Sequence, residues 1–409
     1  MSTERTFVIV GGGLTGAKAA ETLREQGFDG SVVLLAGENE PPYERPPLSK
    51  GYLLGDDERE KAFVHPLPWY AEQDIDLRLG SRVEALEPAE HRVRVAGGEE
   101  ITYDKLLLAT GSEPRRLDVP GGDLGDVRYL RELPDADRLL DVLEPGHRVA
   151  VIGGGWIGLE VAAAARTHGA EVTLIEVAEL PLQGVMGNEV ARVFAGLHRE
   201  HGVDLRLGTE VREVVGADGR VVAVLTTGGD EIMADTVVVG IGARPAVGLA
   251  VAAGLELDHG VVVNAALQTS DPDIYAAGDI ASIDHPLLGT RLRVEHWANA
   301  LDGGPAAARS MLGQDVSYDR LPYFFTDQYD LGMEYIGHAP PGSYDEVVLR
   351  GDVEARAFHA FWVKDSRVRA GMHVNLWDDG IGPVEELVRS GREVDTARLA
   401  DPGVPLSEV

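Results

Sequence analysis

In FVIVGGGLTGAKAA (7–20), an apolar run of β type enters a Gly11-x-Gly13-x-x-Gly16 turn, and a stretch with helical spacing leaves it. In such a strand–turn–helix unit the first glycine permits the tight turn. The second lets the backbone approach a pyrophosphate, and the third packs helix on strand. The new helix also offers unbonded N–H groups and a partial positive charge to phosphates. The same signature recurs in VAVIGGGWIGLEVAA (149–163), with Gly153, Gly155 and Gly158. A single copy can be no more than a Gly-rich turn of an α/β fold. Two copies in full context predict two dinucleotides on one chain, and a hydride passed between them.

Working outward, 6–10, 14–26 and 31–35 read as strand, helix, strand, and TYDKLLLATG (102–111) closes that segment with another strand. Pro114, Pro120, Gly121 and Gly122 then mark a connector that reads as a hinge. The unit repeats at 148–152, 156–168 and 171–176, followed by β runs at 203–207, 210–215, 221–225 and 237–245. IYAAGDIA (274–281) and a helical stretch at 298–312 return the chain to the first domain. The expected architecture is α/β: two Rossmann-like dinucleotide-binding domains, the second inserted in the first, plus a C-terminal α+β domain. The boundaries fall at 1–112 with 246–320, at 113–245, and at 321–409. In the last of these, MEYIGHA, DEVVLRG, AFHAFWVKD and RVRAGMHVN predict an antiparallel sheet, and 382–390 and 395–400 read as helices. It carries no cofactor motif, so its expected role is structural.

Composition narrows the function. The chain has 409 residues, 44% hydrophobic and 26% charged, as an ordinary globular protein does. Its 37 Lys and Arg against 68 Asp and Glu give a net charge of −31, which argues against nucleic acid and anionic membranes. The polar start MSTERT carries no signal-peptide pattern, and no apolar run has the length of a membrane span, so the expected location is cytoplasmic. The absence of cysteine excludes a disulfide framework, a Cys₄ metal site and an intrachain redox dithiol. Electrons must therefore leave directly to an external acceptor. His198 and His201 lie at i, i+3 without a third ligand nearby and read as a solvated helix face rather than a metal site.

Glu176 ends the strand after the second glycine turn, about twenty residues on, where an acid accepts hydrogen bonds from an adenosine ribose and repels a 2′-phosphate. No arginine follows before Arg192, so the site reads NADH rather than NADPH. A solvated strand end is the alternative. Glu38 is the looser counterpart after the first turn.

The motifs PYERPPLSK (42–50), LLLATGSEPR (106–115), RYLR (128–131), GGGWIGLE (153–160), IYAAGDIA, VEHWANA (294–300) and FFTDQY (324–329) are far more selective. Through them the whole chain resembles the FAD-dependent ferredoxin–NAD(+) reductases of the putidaredoxin reductase, rubredoxin reductase and aromatic-dioxygenase reductase family. Apoptosis-inducing factor is a more distant member of that glutathione-reductase-like superfamily. The resemblance implies that Gly11, Gly13, Thr15, Gly16, Glu38, Arg45, Lys50, Val83, Ala109, Thr110, Gly111, Arg131, Asp279 and Trp297 hold FAD. It implies that Gly153, Gly155, Trp156, Ile157, Gly158, Glu160, Glu176 and Gly242 hold NAD. Asp279 would accept from ribityl hydroxyls, Arg131 would meet the pyrophosphate, and the helix at Trp297 would aim its positive end at the flavin. Trp297 is otherwise a core aromatic. Lys50, near the flavin, and Glu160, facing the nicotinamide, are the implied catalytic ion pair; taken alone they read as a loop lysine and an ordinary helix-N-terminal acid.

What the resemblance implies is hydride transfer from NADH to FAD, followed by single electrons to an iron–sulfur ferredoxin serving a cytochrome P450 or Rieske oxygenase. The protein's part is to hold the reacting atoms about 3–3.5 Å apart. Two alternatives remain at this stage. One sends electrons to quinone, a nitrite-reductase partner or dioxygen; the other is a redox signalling protein like apoptosis-inducing factor. Monomer and homodimer are both compatible. Two departures stand out: Gln183 lies where many relatives have arginine, and TDQY replaces a Ser-Asp-Gln version. Arg291 and Arg293, before Trp297, with Arg309 beyond, are the best candidates for a docking face, expected to be locally basic or nearly uncharged, for a transient ferredoxin.

Overall fold

A computed structural model describes residues 5–409, so the first four residues of MSTERT, on which the signal-peptide reading rests, lie outside it. The chain divides into two compact units. The first comprises Met1–Arg45, Glu58–Glu113 and Ala243–Pro322, and the second Pro46–Asp57, Pro114–Gly242 and Tyr323–Val409.

The first unit is built on a parallel sheet in the order Ile274–Ala276, Lys105–Leu108, Thr6–Val10, Ser31–Leu35, Ile75–Arg78. Runs such as TFVIV, SVVLL and KLLL suit strands buried on both faces, and Val8, Ile9, Leu34, Leu106, Leu107 and Leu108 are wholly buried. Thr6–Val10 pairs with Ser31–Leu35 on one side and with Lys105–Leu108 on the other. The glycine turn therefore leaves the sheet where the strand order reverses, the crevice that α/β sheets use for ligands. Helices Leu14–Glu25 and Trp297–Met311 pack closely because small residues face each other. A Cβ on Gly304 would lie 2.3 Å from the Thr15 carbonyl oxygen.

The second unit repeats the plan, with parallel strands in the order Asp204–Arg206, Glu171–Ile175, Arg148–Ile152, Thr236–Val239, Val127–Arg128. Its helices Trp156–Thr167 and Gln183–Glu200 flank the second glycine turn. A five-stranded antiparallel sheet follows in the order Tyr323–Gln328, Leu331–Gly337, Arg367–Val374, Ala357–Lys364, Glu346–Asp352. Its Met333, Phe358, Trp362 and Met372 share one core with Leu159, Val161 and Phe194. Helices Gly382–Ser390 and Thr396–Ala400 end the chain as expected.

Two placements differ from the sequence reading. The Pro-rich loop Pro46–Asp57 packs within the second unit: Leu53 is fully buried in its core, the Leu53 carbonyl bonds His168 at 2.8 Å, and the Tyr52 hydroxyl donates to Asp137 at 2.6 Å. The connector read as a hinge is held down, since Val214 N–H donates to the Pro120 carbonyl at 2.9 Å and Leu117, Val119 and Leu124 pack on an apolar cluster. Residues 324–328 of FFTDQY also prove to lie in an edge strand of the last sheet, Tyr323–Gln328.

Candidate functional site

The glycines of both turns divide by what surrounds them. A Cβ on Gly11 would lie 2.1 Å from the Ala109 carbonyl oxygen, and one on Gly16 would lie 2.0 Å from that of Gly11. Gly153 and Gly158 are constrained in the same way, at 2.4 Å from the Gly240 oxygen and 2.0 Å from the Gly153 oxygen. Gly13 differs. Its φ of −88° is open to any residue, and a Cβ there meets nothing within 4 Å. A Cβ on Gly155 meets only the Gly240 oxygen, at 3.9 Å. Neither backbone strain nor packing calls for glycine at these two positions. Both sit at the N-cap of a helix, and each leaves open space beside the backbone that a side chain would intrude on. These cradles fit a pyrophosphate.

In the first unit, Glu38 accepts from the Tyr43 hydroxyl at 2.5 Å and from Arg45 at 3.0 Å, so the acid after the second strand is fixed by two donors. Thr15 is buried beneath Gly278, and the Thr110 hydroxyl donates to the Ala246 carbonyl at 3.0 Å. Gly111 adopts a φ of 69°, in the left-handed region that favours glycine. Asp279 accepts from the Ser112 hydroxyl at 2.6 Å. Trp297 is half-buried rather than core, and its indole N–H donates to Glu44 at 3.1 Å. Val83 is buried at the start of Val83–Glu87. Lys50 and Arg131 belong to the second unit; the Arg131 N–H donates to Asp135 at 3.0 Å. Tyr43, Glu44 and Ser112 escaped the sequence reading, although each lies inside a quoted motif.

The second unit holds every residue of the expected NAD set. Glu176 accepts from the Gly154 N–H at 2.6 Å and the Ala178 N–H at 2.8 Å, which fixes its charge beside the turn. Trp156 packs against Phe194 and Phe324, and Ile157 is 42% exposed on the helix that leaves the turn. Gly242 has a φ of 95°, and its carbonyl accepts from Arg115 N–H at 2.9 Å. Gln183 donates to Asn188 at 2.8 Å.

Lys50 and Glu160 meet: Nζ lies 2.5 Å from Oε1, with the lysine side chain 14% and the glutamate 3% exposed. The ammonium sits 5.2 Å from the centre of the Phe325 ring, a cation–π contact. Ser49 donates to Oε2 of Glu160, and Thr326 donates to Oε1 at 2.6 Å. A buried carboxylate with three donors is electrostatically satisfied. Burial pushes the neighbouring Asp327 carboxyl upward; Lys50 opposes this, and Glu160 and Glu334 reinforce it.

His198 is no solvated residue. It is wholly buried, and its Nε2 lies 2.8 Å from Oε1 of Gln328, while His201 stacks on Tyr329. No cluster of metal-ligating residues occurs among the described residues. Burial pushes the His198 imidazole down to about 4, and burial, then His373 and Arg350, push His359 there too. Because the folded values lie below the ordinary 6.5, the unfolded chain takes up these protons first. The stabilisation is complete above pH 6.5 and is lost as pH falls toward 4. Unfolding free energy is expected to drop by about 2 kcal/mol per histidine between pH 7 and 5. Urea melts of His359→Gln should show an acid slope shallower by that amount; identical slopes in parent and variant would refute the assignment.

At Arg291 and Arg293 the expected docking face is not basic, because carboxylates offset both arginines. Arg291 pairs with Asp284 at 2.9 Å and Asp258 at 3.4 Å, and Arg293 pairs with Glu295. Neither arginine leaves a local excess of positive charge for a partner. Among the described residues no helix is long and apolar enough to cross a membrane.

Comparison with known proteins agrees with this geometry. Residues 5–304 match the pyridine nucleotide-disulphide oxidoreductase family, and residues 323–409 match the reductase C-terminal family. The chain is 43% identical over 402 residues to the ferredoxin–NAD(+) reductase component of the anthranilate 1,2-dioxygenase system of Burkholderia cepacia, covering 98% of both chains. It is 42% identical over 405 residues to the ferredoxin reductase subunit of 5,5'-dehydrodivanillate O-demethylase from Sphingobium, covering 98% of this chain and 97% of that one. The reductase in the crystal structure of the covalent putidaredoxin reductase–putidaredoxin complex superposes with a TM-score of 0.95 at 36% identity, covering 100% of this chain and 98% of that one. With both glycine cradles and the C-terminal sheet accounted for, the chain belongs to the pyridine nucleotide-disulphide oxidoreductase family, in the form that carries a reductase C-terminal domain.

Proposed function

We propose that the chain is an FAD-dependent ferredoxin–NAD(+) reductase: NADH reduces FAD, and an iron–sulfur ferredoxin of a P450 or Rieske oxygenase system carries the electrons away. The observation that carries the reading is the pair of glycine turns at Gly13 and Gly155, each opening a helix with free space beside the glycine. Relatives similar over the full length, named as ferredoxin reductases, support the partner. With no cysteine, the chain has no disulfide to reduce, so the family's disulfide route is closed here. In domain terms, 1–112 with 246–320 binds FAD, 113–245 binds NAD, and 321–409 is the C-terminal domain.

When bound, FAD supplies the conversion of a two-electron hydride into single electrons. The chain's own residues bind and orient. Gly13 admits the FAD pyrophosphate, with Gly11 and Gly16 shaping the turn around it, and Glu38, steadied by Tyr43 and Arg45, takes the adenosine ribose. Thr15, Val83, Ala109, Thr110, Gly111, Asp279 and Trp297 complete that set; Lys50 and Arg131 join it on the resemblance. Gly155 admits the NADH pyrophosphate, with Gly153 and Gly158 shaping the turn, and Trp156, Ile157 and Gly242 line its path. Lys50 and Glu160 orient the reacting rings and exclude water, since the pair is almost fully buried. We place the protein in the cytoplasm, as monomer or homodimer, with no nucleic-acid partner.

NADH should be preferred over NADPH, because the fixed Glu176 carboxylate repels a 2′-phosphate. Glu176→Ala is expected to narrow the preference in kcat/KM by about 1–3 kcal/mol. Equal use of both coenzymes by the parent would contradict this. The function itself is tested by NADH turnover with ferricyanide, a ferredoxin and a quinone in parallel. Ferricyanide and ferredoxin should both be reduced rapidly; turnover with quinone but not ferredoxin would overturn the partner assignment.

A further inference from the structure

One buried chain of hydrogen bonds in the second unit is not accounted for by cofactor binding. Thr326 Oγ1 donates to Glu160 Oε1 at 2.6 Å, Gln328 Nε2 donates to Thr326 Oγ1 at 3.0 Å, and Gln328 Oε1 lies 2.8 Å from His198 Nε2. Thr326 and Gln328 are 1% exposed, and His198 is 0% exposed. Strand alternation puts Thr326 and Gln328 on one face of Tyr323–Gln328, and Asp327 between them is exposed on the other. The helices carrying Glu160 and His198 supply the two ends.

The direction of every bond follows from one charge. A carboxylate only accepts, so the Thr326 hydroxyl spends its single proton on Glu160. It must then accept from Gln328, which fixes the amide with its nitrogen toward Thr326 and its oxygen toward His198. That oxygen only accepts, so His198 carries its proton on Nε2. Nδ1, which finds no hydrogen-bond partner, is left as the unprotonated nitrogen. A mixed chain of polar groups would otherwise have alternative arrangements. Here the charge of Glu160 removes them, and the chain in turn restrains how Glu160 can rotate.

We propose that Thr326, Gln328 and His198 are positioning residues that lock the Glu160 carboxylate, and through it the Lys50 ammonium, in the orientation used for hydride transfer. The proposal rests on the reductase reading above. Thr326 in TDQY keeps the hydroxyl of the Ser version, and either hydroxyl donates to the carboxylate. Asp327 is the charged group next to the locked pair, itself within reach of Glu334, and His201 flanks His198.

The test is anaerobic stopped-flow reduction of the FAD-loaded protein by NADH, with ¹⁵N NMR of histidine-labelled protein beside it. Thr326→Val should lower the limiting rate of flavin reduction about 10-fold or more, as a misplaced catalytic group does, and leave KM for NADH within about threefold of the parent. Thr326→Ser should recover the rate to within about twofold, and Gln328→Leu should fall between. The NMR readout should find parent His198 as the Nε2–H tautomer, and this signal should change in Gln328→Leu. A Thr326→Val rate equal to the parent's, or a parent His198 protonated on Nδ1, would overturn the proposal. A parent whose flavin NADH does not reduce would instead bring down the reductase reading, and this role with it.

Discussion

Gly13→Val is expected to give a folded, colourless protein. The parent should purify yellow, with one non-covalent FAD per chain; the variant should hold less than about a tenth of that, a loss worth at least about 1.4 kcal/mol of binding. Gly13 has an ordinary φ of −88°, and a Cβ there meets no other part of the protein within 4 Å, so the backbone accepts a side chain without a clash at Cβ. Its stability without flavin should stay within about 0.5 kcal/mol of the flavin-stripped parent. Gly16→Val is the contrasting control: its Cβ would fall 2.0 Å from the Gly11 oxygen, so it should lose flavin and stability together. Flavin content by absorbance and unfolding by circular dichroism check both. A yellow Gly13→Val protein would mean that the cradle is not the pyrophosphate site.

Glu160→Gln should slow flavin reduction by NADH about 100-fold. Two donors, Lys50 and Thr326, converge on Oε1, and Ser49 donates to Oε2. An amide can offer its oxygen to only one side, so either Lys50 and Thr326 lose their acceptor or the Ser49 hydroxyl must turn to accept from the NH₂. The Lys50 ammonium, mostly buried, also loses its counter-charge. Breaking such a pair from one side costs about 3–5 kcal/mol, so lower stability in urea should accompany the slow rate. Unchanged reduction kinetics in a stable Glu160→Gln protein would remove the pair from the chemistry.

Much of the fold was legible because glycine turns and apolar runs are local signals. The strands Thr6–Val10, Ser31–Leu35 and Arg148–Ile152 fall where the apolar residues do, and both parallel sheets follow. Tyr323–Gln328 was visible only as a motif, since its Asp327 and Gln328 dilute the apolar alternation that marks a strand. The loop Pro46–Asp57 lies next to first-unit segments in sequence, and only tertiary packing of Leu53 reveals where it belongs. In the site, Lys50 and Glu160 came from resemblance and the structure brings them into contact. Ser49, Thr326, Gln328 and His198 did not emerge, because their partners lie on distant segments. His198 had the look of a surface histidine on a charged helix, and burial among aromatic residues has no local signature. The arginines at 291 and 293 were seen as charges, but their carboxylate partners were not. Isolated from tertiary context, a charge says little about local potential.

The central claim is that this one chain turns a hydride into two separate electrons for a ferredoxin. An anaerobic titration tests it most directly: one equivalent of NADH is added to the FAD-loaded protein, followed by an oxidised one-electron iron–sulfur ferredoxin. The account predicts that NADH bleaches the flavin completely and that two ferredoxin molecules per flavin restore its colour. Flavin that stays oxidised with NADH, or reduced flavin that ferredoxin leaves bleached while quinone or dioxygen restores it, would contradict the account.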